Sequence, residues 1–325
     1  MSPVWLEFER PVIELERRIE ELRVIEGDGV GENSKSKVKE KIKQLENELS
    51  KLKEEIYPKL TTWQRVQLAR HPDRPYTLDY IKLIFSDFFE LHGDGYFKDD
   101  PAIITGIGKI DGKSVVLIGH EKGRRTNERI YRNFGMAHPE GYRKALRVMK
   151  LGEKFGKPIV IFVDTAAAYP GIGAEERGQA QAIAQNIKAM STLKVPILVI
   201  ITGEGGSGGA IGLGVGDIVL VQEYAFYSVI SPEACASILW RDVNRAPEAA
   251  ESLKLAPQNL LKLKIIDEIV KEPEGGAHRD AKKSASILKK AILTHLNYLL
   301  DISVDVLIEN RIKKFARMGA YKNQD

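Results

Sequence analysis

The chain has 325 residues, 43% hydrophobic and 29% charged, with a formal net charge of +4. That length and apolar content support a large packed core and exclude a disordered chain. The small, dispersed basic excess gives no footing for nucleic-acid binding. No apolar run reaches membrane-spanning length and the start lacks a basic-then-apolar leader, so no membrane role is expected and the cytoplasm is the expected compartment. Cys235 is the only cysteine; it can form no internal disulfide and no multi-cysteine zinc site. Its small, apolar neighbours predict a buried, inert thiol.

Two heptad-like runs open the chain: Phe8, Val12, Leu15, Ile19 and Leu22, then Val38, Ile42, Leu45, Leu49, Leu52 and Ile56. Alternating steps of four and three put each set on one stripe of a helix. The glycine-rich polar segment 26–36 reads as the turn between them. Residues 1–60 are therefore expected to form an antiparallel helical hairpin that packs rather than reacts. A main domain should follow over 61–280, with a helical segment over 281–325.

From Pro58 to about residue 100 the pattern mixes helix and loop. Ala102–Ile110 and Ser114–His120 flank Asp111-Gly112, the strongest short hairpin signal, and should open the sheet. Pro139–Phe155 reads as a helix with Pro at its first turn and Gly156 past its end. Ile159–Val163 reads as a buried strand, Ala174–Leu193 as a helix and Ile197–Ile201 as a second buried strand. A glycine-rich turn then leads to a short helix, strands Ile218–Val221 and Ala225–Ile230, and a helix after Ser231-Pro232. Strand runs without alternation predict an α/β fold whose sheet is buried on both faces.

The segment from Gly203 to Gly209 holds five glycines in seven residues after a buried strand. Such a turn exposes bare backbone, and the first amides of the following helix lack internal partners. Three chemistries fit. Gly203, Gly205 and Gly208 match a dinucleotide fingerprint with Glu223 as the ribose acid, although the following helix is too short for an ordinary crossover. Gly205, Ser207 and Gly209 match a nucleophile elbow, with Asp267 and either His278 or His295 as distant partners. Alternatively the Gly208 and Gly209 amides form an oxyanion hole in which no side chain reacts. A packing turn without chemistry is the plain alternative. His71, His92, His120 and His138 stand in no recognisable sequence motif and read as structural or surface groups.

Several long segments carry a resemblance: GHEKGRRTNERIYRNFGMAHPEGYRKALR from Gly119, AYPGIGAEERGQAQAIAQN from Ala168, GEGGSGGAIGLGVGD from Gly203, YSVISPEACASILW from Tyr227 and GGAHRD from Gly275. Together with FERPVIELE and ARHPDRPYTLDYI they resemble the alpha subunits of acetyl-CoA carboxylase carboxyltransferase, from about Phe8 to the C-terminus. The resemblance implies a crotonase-like (ClpP/crotonase) spiral of ββα units. It implies transfer of the carboxyl group from carboxybiotin, carried on the biotin carboxyl carrier protein, to acetyl-CoA, giving malonyl-CoA for fatty acid synthesis. Biotin is then a group on the carrier, not covalently bound here.

The implied partners are a homologous beta subunit bearing a four-cysteine zinc ribbon, in an alpha2-beta2 assembly, and biotin carboxylase in the wider complex. No metal is expected on this chain. The resemblance assigns the oxyanion hole to Gly208 and Gly209, with Gly205 and Gly206 beside it, and the carboxybiotin side to Tyr169, Pro170, Gly171, Ser231, Pro232 and Glu233. Another acyl-CoA carboxyltransferase or decarboxylase of the same fold, or a non-catalytic assembly subunit, are the alternatives. The chain departs from the family's usual residues at Ala166, Ala167 and Ala234; a positive φ at Ala167 would cost on the order of 1 kcal/mol or more.

Overall fold

Apart from Phe8, which lies in a 3-10 turn (Glu7–Glu9) and packs toward Tyr57 and Leu60, the two heptad runs form α1 (Arg10–Gly27) and α2 (Glu32–Ile56), closed over a seam of buried Ile19, Ile42 and Leu45. The computed structural model describes residues 5–27 and 32–319, so the centre of the expected turn, 28–31, lies outside the described residues. Because α2 already starts at Glu32, that turn is shorter than the composition suggests.

Thr61 caps α3 (Thr62–Ala69): its hydroxyl accepts from the Gln64 amide at 3.2 Å, and the Gln64 side chain accepts from the Thr61 amide at 2.9 Å. This reciprocal pair satisfies two amides that a helix start leaves open. After α4 (Thr77–Ile84) comes a strand absent from the sequence reading, β1 (Ser86–Glu90), antiparallel to β2 at the sheet edge. Its five residues are interrupted by Asp87 at φ 52° and leave Phe89 largely exposed, so no alternation marks it.

β2 (Ile103–Ile110) and β3 (Lys113–His120) form the expected hairpin. Asp111 and Gly112 take φ 45° and 78°, the double positive φ that a two-residue turn of this hand requires. Next come α5 (Thr126–Tyr131), α6 (Pro139–Lys154) and β4 (Ile159–Thr165). The single helix expected over 174–193 is two, α7 (Ile172–Glu176) and α8 (Gln179–Thr192). Gly178, at φ 83°, turns the chain between them.

β5 (Ile197–Gly206) runs ten residues and feeds α9 (Ser207–Ile211), followed by β6 (Ile218–Gln222), β7 (Phe226–Ser228) and α10 (Pro232–Trp240). α11 (Ala246–Ser252), α12 (Pro257–Lys262) and β8 (Glu268–Val270) complete the core, and α13 (Ala281–Leu300) and α14 (Val304–Ala316) follow in the C-terminal segment, whose residues 320–325 lie outside the described residues.

The sheet order is β1-β2-β3-β4-β5-β6-β8, antiparallel through β3 and parallel from there on, with β7 paired to the far end of β5. Both faces are buried. Ile161, Val163, Val199 and Ile201 meet Tyr142, Met149 and Met190, while Val160, Phe162, Leu198 and Ile200 meet Tyr80, Ile84, Leu288 and Leu296. Arg311 of α14 is fully buried, bonding Asp217 at 2.7 and 2.8 Å and the carbonyls of Met190, Leu193 and Val195. That satisfied pairing docks the C-terminal helix against the sheet's parallel end. No single helix among the described residues is long and apolar enough to cross a membrane.

Candidate active site

The site grows from an irregularity between β4 and β5. Val163 pairs with Ile201, but Thr165 pairs with Gly205, so β5 spends extra residues opposite Asp164. Asp164 Oδ1 takes up the slack by accepting from the Glu204 amide at 2.8 Å. A Cβ on Gly203 would stand 2.6 Å from that same oxygen, which is why the position holds glycine.

The predicted glycine turn is therefore strand as far as Gly206. Gly205 pairs with Thr165 and Tyr227 and Gly206 with Ser228, and both are buried. Neither presents bare backbone, which corrects their placement in a turn. A Cβ on Gly206 would fall 2.0 Å from the Ala166 carbonyl oxygen. These glycines let a second main-chain segment lie directly on β5.

The turn proper is one residue, Ser207, at φ 54°. A left-handed L-residue costs about 1–2 kcal/mol, and here it swings the chain from strand into α9. The amides of Gly208 and Gly209 are then among the first in a helix, where no intrahelical acceptor exists. Among the described residues neither has a hydrogen-bond acceptor from elsewhere in the fold. Gly209 is buried under the Ala167–Ala168 peptide, whose carbon would be 2.5 Å from an added Cβ. Gly208 is half-buried, and its added Cβ would make an ordinary 3.6 Å contact with Ile183 Cδ1.

Ile183 also lines a pocket of about 240 Å³ with Tyr169, Pro170, Gly171, Gln179 and Ala180. The expected Tyr169–Gly171 wall and Gly208 thus meet around one isoleucine. Gln179 Nε2 braces the wall, donating to the Tyr169 carbonyl at 2.9 Å and the Ala137 carbonyl at 2.8 Å. The His138 ring packs 4.4 Å from the Tyr169 ring, so this histidine belongs to the edge of the site.

Ser231, Pro232 and Glu233 do not line that pocket. Ser231 caps α10 by accepting from the Ala234 amide at 3.2 Å, Pro232 is buried at the first turn, and Glu233 turns to Arg70. The connection to the glycine strand is ionic. Arg70 donates to Glu233 at 2.5 Å and to Glu204 at 2.6 Å, and Lys122 stands 2.6 Å from Asp164 and 3.5 Å from Glu204. Burial alone would raise the Glu204 pKa, but Lys122 and Arg70 outweigh it and hold the carboxyl below its ordinary range. Burial would likewise lower Lys122, yet Asp164 and Glu204 keep it above its ordinary value. Sequence reasoning missed this chain of charges; the acid inside the glycine run and the arginine of ARHPDRP were its only traces.

The rival chemistries are not assembled. His278 faces Glu9 at 3.3 Å and His295 faces Glu268 at 2.9 Å, so neither serves Ser207, and Asp267 is engaged by Lys314 and by the Val219 amide. The first two glycines of the dinucleotide fingerprint, Gly203 and Gly205, lie within β5 rather than in a turn, and Glu223 bonds Lys271. Burial, then the Lys122 charge, push the pKa of His120 down to about 3, which removes it as a proton carrier near neutrality. His92 pairs with Asp99 at 3.0 Å. Cys235 is buried against Ala236 and Ala249.

Among the described residues one group could hold a metal ion: Glu9, His71 and His278 offer ligand atoms within 4.8 Å of one another. Glu9 already accepts from Tyr57 at 2.7 Å and Arg279 at 3.0 Å, and this corner fastens the N-terminal hairpin to the core. The departures at Ala166, Ala167 and Ala234 carry no backbone strain, since none has positive φ and Ala234 sits in the first turn of α10.

A family model described as acetyl co-enzyme A carboxylase carboxyltransferase-like matches residues 5–319. The acetyl-coenzyme A carboxylase carboxyl transferase subunit alpha of Geobacter metallireducens is 56% identical over 320 residues, covering 98% of this chain and 99% of that one. The subunit of the same name from Thermus thermophilus is 53% identical over 317 residues, covering 97% and 98%. The chain belongs to this carboxyltransferase family.

Among solved structures, the transcarboxylase 12S core with methylmalonyl-coenzyme A bound superposes with a TM-score of 0.55 at 15% identity, over 78% of this chain. The chain spans only 44% of the length of that one. A Pseudomonas malonate decarboxylase hetero-tetramer in complex with coenzyme A gives 0.54 at 14% identity, over 67% of this chain and 88% of that one. At such identities the likeness is one of fold, a crotonase-like α/β architecture.

Proposed function

We propose that this chain is the alpha subunit of an acetyl-CoA carboxylase carboxyltransferase, moving the carboxyl group of carboxybiotin from the biotin carboxyl carrier protein to acetyl-CoA to give malonyl-CoA. The observation that carries the reading is the unspent pair of amides at Gly208 and Gly209 beside the Tyr169 pocket, in a chain related to alpha subunits over nearly its full length. Carboxybiotin supplies the carboxyl group and, once relieved of it, a base.

The chain's own part is electrostatic. Amides fixed at a helix start need no reorganisation when negative charge develops opposite them, and removing one such donor typically costs about 2.7–4 kcal/mol of transition-state stabilisation. The residues fit a small, mostly apolar bicyclic head: Tyr169, Pro170 and Ile183 supply apolar walls, and the glycine at 208 admits close approach. The chain of charges through Lys122, Asp164, Glu204 and Arg70 holds the strand end that aims those amides. The acyl-CoA side and the zinc ribbon fall to a beta subunit, in an alpha2-beta2 assembly served by biotin carboxylase.

Co-expression with the cognate beta subunit tests this. The complex should transfer a carboxyl group between malonyl-CoA and free biotin, the chain alone should not, and Gly208→Val should lower kcat with the complex intact. A complex that assembles yet transfers nothing, or a Gly208→Val complex as fast as wild type, would sink the proposal.

A further inference from the structure

Resting on that reading, we propose that Arg125, Arg129, Ile130, Tyr131 and Phe134 form the docking surface for an acidic face of the protein domain that carries biotin. Residues 124–134 hold four arginines against one glutamate. The glutamate, Glu128, is spent on the amides of Arg124 and Arg125 at 2.9 and 3.2 Å. Arg124 turns inward to the Pro72 and Arg74 carbonyls and to Asp79, and Arg132 donates to the Pro101 carbonyl at 2.8 Å. Among the described residues Arg125 and Arg129 have neither a carboxylate nor a carbonyl partner for their side chains.

Directly after Arg129 the chain displays apolar surface. Ile130 is 62% exposed, Tyr131 67% and Phe134 50%. Arg125 is exposed and Arg129 half-buried; arginine beside exposed aromatic side chains is the composition of binding hot spots. The backbone is strained to present it. Asn133 and Phe134 take φ 47° and 56°, and Gly135 follows at 79°. Two consecutive left-handed L-residues cost free energy, and the Phe134 ring is still left half exposed. Such strain persists where function requires the geometry.

The surface also stands where a tethered group must be delivered. The Gly135 carbonyl lies 2.7 Å from Thr165 Oγ1, which is 2.8 Å from the carbonyl of Ala167, the residue packed on Gly209. Two residues on, the Ala137 carbonyl accepts from the Tyr169 amide at 3.0 Å. The strained segment is thus continuous with both sides of the candidate pocket. A domain seated on it would reach the Tyr169–Ile183 pocket with a prosthetic arm, while free biotin would need none of these contacts. Exposed charge at such a rim acts on encounter and is sensitive to salt.

The test compares two acceptors in the assembled complex with the beta subunit: the biotinylated carrier domain and free biotin, with malonyl-CoA as donor. The double variant Arg125→Glu, Arg129→Glu should raise KM for the carrier domain at least tenfold, and Phe134→Ala should raise it several-fold. KM and kcat with free biotin, and KM for malonyl-CoA, should stay within twofold. The double variant's penalty should shrink as salt is raised. Equal losses with both acceptors, a raised KM for malonyl-CoA, or loss of the beta subunit from the complex would each overturn the docking proposal. Wild-type complex inactive with both acceptors would instead count against the proposed activity. Direct calorimetric binding of the biotinylated domain to wild-type and double-variant complexes would then decide docking, equal affinities overturning it.

Discussion

The two halves of β5 are equally buried and opposite in substance. Ile197–Ile201 fills both faces of the sheet with aliphatic side chains, whereas Thr202–Gly206 fills the same depth with main chain and paired charge. In the first half stability comes from apolar surface removed from water. In the second it comes from what is missing, since Gly203 and Gly206 make room for the Asp164 carboxylate and the Ala166 peptide. A packed aliphatic strand tolerates small volume changes, while a strand in contact with backbone tolerates none. The half that borders the candidate site is thus the less forgiving one.

The strongest blow to this contrast should be Glu204→Gln. Removing one partner of a buried ion pair costs about 3–5 kcal/mol, and the lower end applies because Lys122 keeps Asp164 and Arg70 keeps Glu233. The loss should appear in the urea midpoint at pH 7. Because Lys122 and Arg70, against burial, hold the Glu204 carboxyl below its ordinary 4.5, its contribution is present above that pH and fades as pH falls below it. Wild type and variant should therefore converge on acidification, and a gap independent of pH would refute the ionic account.

Gly206→Ala should come next, at the top of the ~1–3 kcal/mol typical of overpacking, because its methyl meets a carbonyl oxygen rather than a movable side chain. A melting temperature within a degree of wild type would contradict the close approach. In the aliphatic half, Ile200→Val should cost only about 0.5–1.5 kcal/mol and leave transfer activity unchanged. The smallest stability effect belongs to Gly208→Ala, within ~0.5 kcal/mol, since its methyl makes only an ordinary van der Waals contact with Ile183. That variant should nonetheless slow transfer to biotin. Loss of stability without loss of rate would make Gly208 a packing residue.

Much of this was legible because the signals were local. Asp111-Gly112 demands its own turn, Ser231 caps the helix it precedes, and the aliphatic runs at 159–163 and 197–201 can only be buried strands. The misreadings share a cause. A strand made of glycine has no side-chain period, so Gly203–Gly206 read as a turn, and β1 hid because its exposed phenylalanine and kinked Asp87 erase alternation.

By itself, then, the sequence determined which segments are buried, where the hairpin turns, and the family to which the chain belongs, because propensity, apolar runs and motif order are properties of neighbouring residues. Only the tertiary structure decided that Arg70, Lys122, Asp164, Glu204 and Glu233 form one ionic chain and that Tyr169 and Gly208 meet around Ile183. Pairing of charges and apposition of backbones depend on distances in space between residues far apart along the chain, and no local pattern encodes those.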